Sequence, residues 1–369
     1  MNHLKKKGTQ PFDLYDISAA RPYLMGLACL WVTLYHSKYL NLFDSVILNR
    51  TRLLGLVTRV EAIGNCAVDL FFFLSGLGLY FSYTRLLERK AEHPVRIFYQ
   101  RRFKRILPTI LIVTVLTYGL MEVEDTANWL GYVFLYGFLT PTLERGNFWY
   151  FSATVVFYLL FPLLHRAIRG KRGLWGAAAI MLGSVALCVF LSHAAETYFF
   201  MRGHLFLGRI PAFVLGAYAG KLCLRHQKVP GWVPPLSAAV GILLIILIND
   251  RPGWFPSFYK FYAYLLLVLC IALSHGWFFS RFPKRGFLSK TVMLMGSYSM
   301  EIYLLYESLY NHEPMLFHSP ESTGVVYSLT VFTAALVLAV LLKYTADQLV
   351  KGYEALRTGA GRGKEEPGS

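Results

Sequence analysis

Four ionisable residues lie inside apolar stretches of the chain: His36, Asp69, Arg209 and Glu301. A charge in nonpolar surroundings is costly, so each is a candidate for function. A neutral imidazole at His36 can act as base or nucleophile near neutral pH. Asp69 or Glu301 could orient or charge that ring, and Arg209 could steady a developing oxyanion. Each has a plainer alternative as a structural polar group satisfied by a neighbouring helix, and Asp69 and Arg209 could simply pair. A second constellation is basic. In Tyr99-Gln-Arg-Arg-Phe-Lys-Arg-Ile-Leu-Pro108, Arg102 and Arg105 lie three apart and share one helical face. Two guanidiniums so placed make a clamp for phosphates, or an anchor on lipid phosphates. Ser75, Gly78 and Ser82 form a small-residue stripe, read as a close helix contact rather than a site.

The elements that must position these groups are membrane spans. The chain is 55% hydrophobic, and its apolar residues come in blocks about one bilayer long, separated by short polar or basic stretches. The spacing predicts an all-α, polytopic transmembrane bundle of about ten spans: 23–42, 63–83, 106–121, 148–165, 174–192, 204–222, 232–249, 259–279, 291–310 and 324–345. The short apolar piece Trp129 to Thr140 reads as re-entrant or interfacial.

Charge sets the orientation. With the N-terminus inside, 28 of the 37 Lys and Arg residues fall in inner segments and 8 in outer ones, so both termini are expected to be cytoplasmic. The same placement puts His36, Asp69, Arg209 and Glu301 in the outer half or centre of the membrane, where they could line one polar cavity. The net charge of +16 is scattered over short loops, which argues against nucleic acid as a partner. The five cysteines lie within or beside apolar blocks without a CxxC pair, which suits small buried hydrophobes better than disulfides or metal. The polar run Asp13 to Asp16 and the long block after it do not suit a cleaved signal peptide. The expected organisation is a cytoplasmic segment 1–22, a membrane domain 23–345 and a disordered cytoplasmic tail 346–369.

At these residues the sequence resembles the acyltransferase-3 family of membrane O-acyltransferases. The matching stretches are Tyr23 to His36, Val68 to Tyr80, Tyr99 to Pro108, Phe148 to Pro162 and Gly296 to Tyr306, in the family's order. The resemblance implies about ten spans and transfer of an acyl group, commonly acetyl, from cytoplasmic acyl-CoA to a hydroxyl of a cell-surface glycan. It implies no tightly bound cofactor, and a place in the cell membrane, here the bacterial plasma membrane. It makes His36 the catalytic histidine, gives Arg102 and Arg105 to the donor, and matches Glu301 to an acidic position of part of the family. With Asp69 as a further catalytic candidate, Arg209, Trp149 and Tyr150 are the candidate substrate-binding residues, and the outer loop 122–147 a candidate acceptor surface. Three positions depart from the pattern: Met25, eleven residues before His36, where the family has arginine; Tyr306, where it ends in histidine; and Thr154, where many members carry glutamate. The alternative from another class is a transporter or flippase using the same mid-membrane charges, for which the sequence offers no inverted repeat.

Overall fold

In the computed structural model, the structure describes residues 12–37, 63–121, 149–194, 205–250, 259–281, 286–311 and 325–362. The helices are α1 (Tyr15–Ala19), α2 (Arg21–Ser37), α3 (Cys66–Glu88), α4 (Pro94–Met121), α5 (Trp149–Arg169), α6 (Gly173–Ala194), α7 (Ile210–Leu224), α8 (Val233–Asp250), α9 (Lys260–Ser280), α10 (Phe287–Ser297), α11 (Ser299–Asn311) and α12 (Val325–Arg362). Two short strands, β1 (Phe12–Asp13) and β2 (Lys228–Val229), pair antiparallel. Proline marks where two helices begin: Pro94 opens α4, and Pro211 stands in the first turn of α7, where its missing N–H costs nothing.

The all-α expectation holds, and the chain is a multi-pass membrane protein. Among the described residues six helices are long and apolar enough to cross a bilayer: α3, α5, α6, α7 with its preceding turn, α9 and the Thr330–Leu356 part of α12. The ten expected spans are therefore not all matched by helices of that kind. The α2 helix is described over only 17 residues. The first half of α4 carries the basic run, and α8 is apolar over the shorter stretch Val233–Ile248. The span expected at 291–310 is two helices, α10 and α11, broken at Tyr298. The expected disordered tail 346–369 needs correcting as well, because α12 runs on to Arg362. Helix formers such as Ala355 and Leu356 favour that extension. Lys343 pairs with Asp347 one turn on, and Glu354 meets Lys104 of α4. Residues 363–369 lie outside the described residues.

Helix α3 is the centre of the bundle. Of its most apolar stretch 78% is buried, against 17% for α6. Its closest partner is α7, and the approach depends on missing side chains. A Cβ on Gly76 would run into the Phe213 carbonyl, and one on Gly216 into the Phe73 carbonyl. The same device joins α2 to α10, where Gly26 lies under the Val292 carbonyl and Gly296 under that of Pro22. Facing outward are large apolar side chains such as Leu182, Leu243 and Leu341, a belt suited to lipid rather than water.

Several contacts gather the basic segments at one end of the bundle. Asp16 meets Arg281 at 2.8 Å, and Lys221 donates to the Ile168 and Gly170 carbonyls at 2.9 and 2.7 Å. Thr84 meets His165 Nε2 at 2.9 Å. On that side α4 begins and α5 ends, so these two helices run antiparallel, with Tyr99 donating to the Leu159 carbonyl at 2.7 Å.

Candidate functional site

An elongated cavity of about 360 Å³ runs between α2, α3, α4, α5 and α11. Its α3 wall extends from Val68 to Ser82, a length of about 21 Å at the helical rise. Ser75, Gly78 and Ser82 all line it. The small-residue stripe read as a helix contact is thus a cavity wall, and the contact itself falls to Gly76 and its partners one position round. Both sets are small, and only the helix standing opposite decides which is which.

The two ends of the cavity differ in chemistry. At one end stand Arg102 and Arg105 from α4, joined by Arg21 from α2. The Arg102 guanidinium donates to the Ser82 hydroxyl and lies over the Phe98 and Tyr158 rings at 5.5 and 5.9 Å. Its Nε is buried without a hydrogen-bond partner among the described residues. Arg21 donates from Nε to the Leu74 carbonyl at 3.1 Å. Among the described residues none of these three guanidiniums forms an ion pair with a carboxylate. At the far end stand Val32, Asn65, Trp149 and Leu205. The middle is lined by aromatic and apolar groups, among them Phe71, Tyr150, Met300 and Tyr303. Pro162 leaves the Tyr158 carbonyl on this wall without its usual helical donor.

The residues singled out from the sequence separate into two groups. Arg102, Arg105, Trp149 and Tyr150 line the cavity, as do Met25 and Thr154. His36 is on α2, four residues beyond the cavity-lining Val32, so its register continues the Arg21, Met25, Val32 stripe. Its side chain lies outside the described residues, as do the outer loop 122–147 and the apolar piece 129–140.

Asp69, Arg209 and Glu301 do not line the cavity, contrary to the single polar chamber expected for all four membrane charges. Asp69 and Arg209 are fully buried and pair with each other between α3 and α7. Mutual charge neutralisation holds them there, away from the cavity. The guanidinium lies 3.9 Å from the Phe261 ring and 6.0 Å from that of Trp149. It also donates to the Asn65 carbonyl at 3.2 Å, and the Asn65 amide donates to the Tyr35 hydroxyl at 3.3 Å. The ion pair is thereby tied to the α2 residue next to His36. Glu301 is on α11 but off the Met300, Tyr303, Leu304 face that lines the cavity. It is buried, and both its carboxylate oxygens lack a hydrogen-bond partner among the described residues.

Arg21, which the sequence places one turn before Met25 and near the inner surface without a site role, stands in the cavity wall. A signal existed in the spacing, since Arg21 is one helical turn from Met25 and therefore on the same face.

A family model described as an acyltransferase domain matches residues 23–344. The chain is similar to acyltransferase MdmB of Streptomyces mycarofaciens, 32% identical over 36% of this chain and 36% of that protein. It is also similar to O-acetyltransferase OatA of Staphylococcus aureus, strains NCTC 8325 and COL among others, 23% identical over 79% of this chain and 54% of that protein. The chain thus spans about half or less of the length of the curated relatives it matches. No solved structure matches.

Proposed function

The chain belongs to the acyltransferase family whose model it matches over residues 23–344, and on that premise we propose that it moves an acetyl group from acetyl-CoA to a hydroxyl of a cell-surface glycan. The family supports an acyltransferase and the apolar helices a membrane setting, and the similarity to an O-acetyltransferase supports oxygen as the acceptor atom. The donor, the acceptor, a bacterial plasma membrane, ten spans and cytoplasmic termini are the finer parts of the proposal.

One observation carries it: a long, narrow cavity with guanidiniums at one end that no carboxylate pairs among the described residues, and the His36 stripe of α2 leading to the other. A donor with phosphates on a long thin arm suits that shape. Arg102 and Arg105 would hold the phosphates by charge-assisted hydrogen bonds, with the thioester lying along the apolar middle. His36 would take the proton of the acceptor hydroxyl as that oxygen attacks the thioester carbonyl. The C–O bond forms, the C–S bond breaks, and the imidazolium returns its proton to the departing thiolate. Trp149 and Tyr150, on the cavity wall, offer flat faces of the kind sugars stack on. Asp69 and Arg209 act at one remove, holding the Asn65 turn and hence the end of α2.

The test is a His36→Ala variant in membranes given labelled acetyl-CoA and crude glycan acceptors. Transfer should fall by about 100-fold or more, the usual worth of a positioned base. Product formed at the wild-type rate would remove His36 from the chemistry.

A further inference from the structure

We propose that Arg21 is the third member of an anion clamp with Arg102 and Arg105, and that the clamp takes a ligand carrying at least two negative charges, a diphosphate. The acetyl-CoA reading above supplies the identity of the natural ligand; the clamp itself stands on the geometry.

Arg21 and the α4 pair come from different helices and meet in one cavity. The guanidinium of Arg21 is seated, not loose. Its Nε is committed to the Leu74 carbonyl at 3.1 Å, which fixes the plane of the group and leaves both terminal nitrogens for a ligand. Gly78 of α3 makes that seat possible. A Cβ there would lie 2.8 Å from Arg21 Cζ and 2.8 Å from Nη2. Arg102 is held in a similar way by Ser82, also of α3. One face of α3 therefore aims two guanidiniums, one from each flanking helix, at the same volume.

Three like charges this close repel, and no carboxylate among the described residues pairs with any of them. Buried Glu301 acts electrostatically on Arg105 without an ion pair, and Arg21 and Arg102 have no such counter-charge among the described residues; an anion would balance the cluster, and its planar forks suit phosphate oxygens. Forks from α2 and α4 grip from two sides. Two linked phosphates can meet both, whereas one phosphate leaves a fork unused.

The test uses the purified full chain in zwitterionic detergent, with binding of coenzyme A and of inorganic pyrophosphate measured for wild type, Arg21→Gln, Arg21→Lys and Gly78→Ala. Arg21→Gln should weaken both probes by about tenfold or more, the worth of one charge-assisted hydrogen bond. Gly78→Ala keeps all three charges but displaces the Arg21 fork, and should weaken both probes by a few-fold; if Arg21→Gln does not stay folded, this variant and Arg21→Lys decide. Equal binding of pyrophosphate by wild type, Arg21→Gln and Gly78→Ala overturns the clamp, as does a wild type that binds neither probe. Glycerol phosphate bound as tightly as pyrophosphate also overturns it, since the site would then read a headgroup-like monophosphate. Pyrophosphate bound through Arg21 with no binding of coenzyme A leaves the clamp standing and removes the acetyl-CoA donor. Coenzyme A bound indifferently to Arg21 does the reverse.

Discussion

Asp69 and Arg209 are buried charges that line no part of the cavity and are matched to each other. Both side chains are shut away from water and each depends on the other for neutralisation. Removing one partner strands the second, which typically costs about 3–5 kcal/mol, whereas replacing both with apolar groups of similar size is often neutral. Asp69→Asn and Arg209→Met are each expected to lower thermal stability sharply in detergent. The joint Asp69→Leu/Arg209→Met variant should recover most of it and keep acyl transfer within several-fold. A joint variant as stable as wild type but without transfer would give one of the two a part in the chemistry. The possibility of this pair was legible in the sequence, because both residues fall at similar depth on spans two and six. Their withdrawal from the cavity was not. Depth places a residue along a helix, and the direction it faces around the axis depends on which neighbour packs there. Arg21 shows the complementary limit: at the first residue of α2 its place near the inner surface was legible, but its cavity seat was not, because that seat is made by Gly78 on another helix.

Among the elements, the contact of α3 with α7 carries the packing around the site. Gly76 and Gly216 let two backbones meet, and a methyl group at Gly216 has only the Phe73 backbone to push against. Backbone cannot swing aside as a side-chain tip can, so Gly216→Ala is expected to cost at least about 1–3 kcal/mol, the usual range for overpacking. Gly183 on α6 is the control: nothing lies within 4 Å of its Cβ position. Gly183→Ala should be neutral or stabilise by up to about 1 kcal/mol through helix propensity. Thermal inactivation half-lives of the two variants in the same detergent separate the cases, and equal half-lives would mean that the glycine contact does not limit stability. Apolar block length was enough to anticipate helix at every expected span, but not the joint at Tyr298, since the apolar pattern continues across it. Nor could composition separate Gly78 from Gly76, two residues apart on one helix. One makes room for a guanidinium and the other for a carbonyl.

At the scale of the whole molecule, charge and contacts bear on the same end of the bundle. The pairing of β1 with β2 ties the N-terminal segment to the turn after α7. Asp16 ties it to Arg281 after α9, Lys221 reaches the turn between α5 and α6, and Glu354 of α12 meets Lys104 in the first half of α4. These are the segments that hold most of the Lys and Arg residues, and basic loops stay on the cytoplasmic side. The same end carries Arg21, Arg102 and Arg105, so the mouth for an anionic donor would open to the cytoplasm while Trp149 and Asn65 lie toward the opposite face. The antiparallel run of α4 and α5 adds a constraint, because the chain leaves α4 and enters α5 at the end away from the basic loops. Met121 and Trp149 therefore stand on the same side of the bundle, opposite the basic segments. Single cysteines introduced at Lys90, Lys171, His226 and Lys351 in a chain stripped of its own five should therefore all resist a membrane-impermeant maleimide in intact cells and react once the membrane is opened. One at Trp129 should react from outside if the 129–140 piece stays at the outer surface. Labelling of Lys171→Cys in intact cells would reverse the orientation of everything after α5, and with it the side from which a donor could reach the three arginines.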